Sequence, residues 1–73
     1  MLREIEIKDQ AQVEKINRLA CEAPYEVWLF TKDMMLDARS LLGLFGLVGQ
    51  RAKVVTEDGL APRTLDRLVK KMA

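Results

Sequence analysis

The chain has 73 residues, 49% of them hydrophobic and 32% charged, with a formal net charge of +1. This length suits one domain spanning residues 1–73, and the composition is too apolar and too charge-balanced for intrinsic disorder. Near-neutrality removes the electrostatic case for nucleic acid, and no apolar run approaches the roughly 18 residues of a membrane span. The start MLREIEIKD alternates charged and apolar residues and does not read as a signal peptide. Cys21 has no second cysteine to pair with, which favours a reducing compartment, the cytoplasm. The chain contains no histidine, so imidazole general-base catalysis, phosphohistidine chemistry and imidazole metal ligation are all excluded. One cysteine and no histidine leave no zinc site, and no metal or cofactor is expected.

Along the chain, Arg3 to Ile7 alternates, with Ile5 and Ile7 on one side and Glu4 and Glu6 on the other, which predicts a half-buried strand. Asp9 is placed to cap a helix, with Gln12 in a loose capping-box position. Val13, Ile16, Leu19, Ala20 and Ala23 form its apolar stripe; Glu14, Lys15, Arg18 and Glu22 face outward, and Pro24 stops it. Cys21 reads as inert helix packing. Tyr25 to Phe30, rich in aromatic and β-branched residues, predicts a second strand. Thr31-Lys32-Asp33 is a hairpin turn into a third strand at Met34 to Ala38. Ser40 is a favourable N-cap for a second helix from Leu41, and Gly49-Gln50 lead out of it. Arg51 to Thr56 predicts a fourth strand and Glu57-Asp58-Gly59 a turn. Pro62 opens a last helix in which Leu65, Leu68, Val69 and Met72 share a face and Lys70 and Lys71 occupy the final turn. The order β-α-β-β-α-β-α, with apolar helix stripes needing a sheet to cover, predicts a two-layer α+β domain.

The run Ser40-Leu41-Leu42-Gly43-Leu44-Phe45-Gly46-Leu47, followed by Gly49-Gln50 before a strand, resembles the HPr family of phosphocarrier proteins. The spacing from Ala20 to Ser40 fits the same pattern without a gap. The resemblance implies an open-faced β-sandwich: a four-stranded antiparallel sheet with three helices on one side. It also implies a departure. The family's phosphate-accepting histidine, in a G-x-H-A-R-P segment, falls at Asp9 within Lys8-Asp9-Gln10-Ala11-Gln12, and the histidine, arginine and proline are all absent. Phosphohistidine transfer is therefore unavailable to this chain. A helix cap is the simplest role for Asp9, with an aspartyl phosphate as the alternative.

Ser40 matches the serine that a dedicated kinase phosphorylates in many Gram-positive members; a plain N-cap would account for it equally. Leu41, Leu42, Leu44 and Phe45 lie in the segment by which the resemblance implies docking to protein partners, among them phosphotransferase-system components or a kinase. The second helix is apolar all round, so part of it should remain exposed in a two-layer domain. If Val27 and Leu29 face the helices, Trp28 and Phe30 face the open side of the sheet with Met35 and Val55, a surface suited to self-association. A one-residue register shift would instead place both aromatics inside. Glu4, Glu6, Glu57 and Asp58 read as solvated, with no convergent acid–base pair. Two readings follow. One is a non-enzymatic, HPr-like bacterial regulator of sugar uptake or carbon metabolism. The other is a homodimeric assembly module unrelated to sugar transport.

Overall fold

A computed structural model describes residues 2–73. The elements run β1 (Leu2–Glu6), α1 (Gln10–Glu22), β2 (Val27–Phe30), β3 (Met35–Asp37), α2 (Leu41–Phe45), β4 (Arg51–Thr56) and α3 (Pro62–Met72). The strands form one antiparallel sheet in the order β1-β4-β2-β3. One side of the sheet contributes Ile5, Val27, Leu29, Ala52 and Val54 to the core. The three helices cover that side with Val13, Ile16, Ala20, Leu44, Leu65, Leu68 and Met72. The fold is the expected open-faced α+β sandwich.

The alternation in β1, β2 and β4 decides the faces, because successive strand side chains point to opposite sides. Val27 and Leu29 are buried while Trp28 and Phe30 are half-buried on the opposite face. The register that would have placed the aromatics inside is therefore not the one adopted. Trp28 lies opposite Val55 and Asp37, and Phe30 opposite Lys53 and Met35. Leu2 stands across from Val55, so an apolar band crosses the open face beside a charged corner where Arg51 bonds Glu4 at 2.7 Å.

Some boundaries differ from those expected. β1 begins at Leu2 and ends at Glu6, although Ile7 still exchanges hydrogen bonds with Gln50 and Gly49 at 2.9 and 2.7 Å. β2 begins at Val27 because the Glu26 N–H is taken by the Glu57 carboxylate at 3.1 Å rather than by a neighbouring strand. β3 is only Met35–Asp37; Ala38 adds one further bond, its N–H donating to the Val27 carbonyl at 3.0 Å. The exit from α2 is a series of tight turns ending at Gly49, whose φ of 91° is the left-handed conformation that a glycine adopts freely.

Thr56 at the end of β4 is 3% exposed, and its hydroxyl has no hydrogen-bond partner. A buried, unpaired hydroxyl carries its desolvation cost with no compensating bond. Thr56→Val keeps the side-chain shape and removes that cost, so it should raise stability by about 1 kcal/mol. A urea titration reads this as a higher midpoint at unchanged slope; a lower midpoint would show that the hydroxyl is bonded after all.

Candidate functional site

The expected docking segment divides into inner and outer residues. Leu44 and Leu47 are fully buried. Leu42 is 85% exposed, with Leu41 and Val48 at 38% and 39% beside it, while Phe45 is half-buried against the core. Leu44 was expected among the partner-contacting residues and is not available to a partner: it is the buried residue of α2 and belongs to the core cluster. The helix is five residues long, so its covered side takes few side chains and the remaining leucines stay in solvent. Val48 extends the exposed patch beyond the residues singled out from sequence.

Ser40 occupies the N-cap position of α2, with φ −88° and ψ 94°, but its side chain makes no capping bond. Its backbone makes the turn instead: its N–H donates to the Asp37 carbonyl at 2.9 Å and its carbonyl accepts from the Leu44 N–H at 3.1 Å. The expected side-chain cap is therefore absent, and Ser40 lies exposed beside Leu41 and Leu42. Its hydroxyl approaches Gly43 closely: a β-carbon there would stand 3.3 Å from the Ser40 oxygen and 3.1 Å from Leu36 Cδ2. Glycine at this position lets the first turn of α2 pack against β3.

At the start of α1, Asp9 Oδ1 accepts the Gln12 backbone N–H at 2.8 Å, the expected cap. Gln12 does more than close a capping box. Its Oε1 accepts from the Lys8 N–H at 2.8 Å, and its Nε2 donates to the carbonyls of Glu6 at 2.9 Å and Met72 at 3.1 Å. At 8% exposure, this one amide joins the end of β1, the start of α1 and the end of α3. The capping-box spacing pointed to Gln12, but no local pattern announces the partner at Met72.

Arg39 was not anticipated from sequence. One guanidinium nitrogen reaches Asp37 at 2.8 Å and Glu26 at 2.9 Å, bracing the short edge strand β3 against the segment before β2. The hydrogen bond from Arg39 holds the Asp37 carboxyl below its ordinary value. Glu4 and Glu57, expected to be simply solvated, are respectively ion-paired with Arg51 and bonded to the Glu26 N–H. Cys21, expected to pack, is exposed, because it lies off the α1 stripe formed by Val13, Ile16 and Ala20. No helix among the described residues is long and apolar enough to cross a membrane.

The architecture is thus an antiparallel sheet with helices on one side and an exposed leucine patch on its shortest helix. The same fold is found in the crystal structure of HPr-C-His from Thermoanaerobacter tengcongensis. The two superpose with a TM-score of 0.75 at 19% sequence identity, over 99% of this chain and 90% of that one. The fold is HPr-like. No protein-family model matches the sequence, and no curated protein matches it.

Proposed function

We propose that residues 1–73 form a single HPr-like domain that acts by protein contact rather than by phosphohistidine transfer or catalysis. Its role is that of a regulatory or interaction module in phosphotransferase-system sugar uptake or carbon metabolism, in the bacterial cytoplasm. The observation that carries this reading is Leu42, 85% exposed on α2 next to an exposed Ser40 within an HPr-like fold. A leucine held in water at that level, with Leu41 and Val48 beside it, is a surface suited to a protein partner. The chain contains no histidine, so its proposed role does not involve phosphate on an imidazole. Asp9, at the position the resemblance assigns to that histidine, has its carboxylate engaged as a helix cap.

Ser40 is the proposed switch. A phosphate there would place about two negative charges beside Leu41 and Leu42 and change what can dock. Incubation with HPr kinase and ATP, followed by peptide mass spectrometry, should find one phosphate on Ser40. An unlabelled chain after full turnover on an HPr control would remove the switch and leave the docking surface.

A second reading draws on the open sheet face, where Trp28, Phe30, Met35 and Val55 lie together by register. Self-association through this face would make the chain an assembly module. Light scattering over a concentration series should then show a dimer that Trp28→Lys abolishes; a strict monomer at high concentration eliminates this reading.

A further inference from the structure

The four cations of α3 are a separate feature from the α2 surface. Arg63, Arg67, Lys70 and Lys71 share the helix with one acid, Asp66, which is bonded to Arg3 at 2.8 Å. Among the described residues, none of the four cations has an ion-pair partner, as is also true of Lys8, Lys15, Arg18, Lys32 and Lys53; what sets α3 apart is that four cations fall within one eleven-residue helix. The helix dipole accounts for Lys70 and Lys71 in the last turn but disfavours Arg63 in the first. Arg63, Arg67 and Lys71 also stand at four-residue spacing, a like-charge row that is unfavourable on an isolated helix. Arg67 and Lys71 of this row line a groove between the C-terminal half of α1 and α3, and Arg63 lies one turn beyond it. The groove is floored by Leu19, Ala23, Tyr25 and Leu68 and rimmed by Arg67 and Lys71, with Glu22 as the one acid in its lining. Its volume, about 260 Å³, falls below the range of small-molecule pockets, roughly 300–1,000 Å³, and suits a single apolar side chain.

We propose that this groove docks an acidic segment of a partner protein, with one apolar side chain seated between Leu19 and Leu68 and carboxylates paired with Arg67, Lys71 and Arg63. Charge complementarity selects this occupant, since cations outnumber acids in the groove lining, Arg67 and Lys71 against Glu22, and lie beside an apolar floor. A polyanion without an apolar anchor would use only the rim.

The probe is a short fluorescein-labelled peptide of glutamates around a central leucine, followed by fluorescence anisotropy with the intact chain. The proposal expects binding that weakens with added salt. It also expects the double substitution Arg67→Glu, Lys71→Glu to weaken binding at least about tenfold, and Glu22→Lys to tighten it severalfold. These residues are exposed, so the variants should fold, which a cooperative thermal transition near that of the wild type would verify. Amide shifts on titration should centre on Leu19, Ala23 and Leu68. The proposal is overturned if the peptide does not bind at millimolar concentration, or if the charge reversals leave affinity unchanged. It is equally overturned if a lysine-for-glutamate peptide or heparin binds as well, or if the shifts map to α2 or the sheet face.

Discussion

Leu44→Ala is expected to destabilise the fold by about 2–5 kcal/mol, the range for truncating a fully buried leucine. Leu42→Ala, two residues earlier on the same short helix, should leave stability within about 0.5 kcal/mol of wild type. The contrast follows from burial. Leu44 has no exposed surface and sits in the core cluster with Leu47 and Ala38, so its removal opens a cavity that a short helix cannot collapse to fill. Leu42 is 85% in water, and truncating it removes little packing. For a chain of this size the total stability is on the order of 4–11 kcal/mol, so the Leu44 change alone can exhaust a large part of it. Calorimetry should show the Leu44→Ala midpoint lowered by roughly 10 °C or more and the Leu42→Ala midpoint nearly unmoved. Equal midpoints for the two variants would mean that α2 is turned differently from the arrangement described.

The second large effect belongs to Gln12. Gln12→Ala should cost about 2–4 kcal/mol, although the residue is polar and lies near a helix end. Its amide serves three backbone groups, at the end of β1, in the β1–α1 loop and at the end of α3, and the Met72 carbonyl is buried where water cannot replace the lost donor. Gln12→Glu makes the sharper test. It retains an acceptor for the Lys8 N–H but turns a carboxylate oxygen toward the carbonyls of Glu6 and Met72. The folded state then favours the protonated acid, so the carboxyl should titrate above its unfolded value. With the proton held more tightly in the folded chain, this group makes stability rise as pH falls and lowers it again as pH rises. Urea midpoints of Gln12→Glu relative to wild type should therefore recover on acidification. A difference independent of pH would indicate that the donor bonds to Glu6 and Met72 are not made.

The element order was legible because strand and helix periodicities are distinct. Arg51–Thr56 appears with the boundaries read around its paired valines, and Pro62–Met72 starts at the expected proline and carries the expected apolar stripe. Legibility was lost where a segment has no periodicity to read. In Leu41 to Val48 nearly every residue is apolar, so sequence could state that some must remain outside but not that Leu44 is inside and Leu42 outside. The Ser40 cap was over-read for a different reason: residue type favours a cap, yet the hydroxyl makes no capping bond although it lies close to the first turn at Gly43. Contacts distant in sequence, such as Gln12 with Met72 or Arg39 with Glu26, leave no local signature because each depends on how the helices and strands are brought together. The α1–α3 groove was invisible for the same reason, since its two walls are more than forty residues apart.

The docking surface proposed on α2, with Leu42 at its centre, would receive a phosphotransferase-system protein. The most direct measurement is an affinity pull-down from native lysate with wild-type chain and Leu42→Glu in parallel, with captured proteins identified by mass spectrometry. Leu42→Glu changes an exposed side chain and should fold normally, which its circular dichroism verifies. A phosphotransferase-system component should be captured by the wild type and lost with Leu42→Glu. Undiminished capture by Leu42→Glu, or a wild-type eluate with no such component, would contradict it.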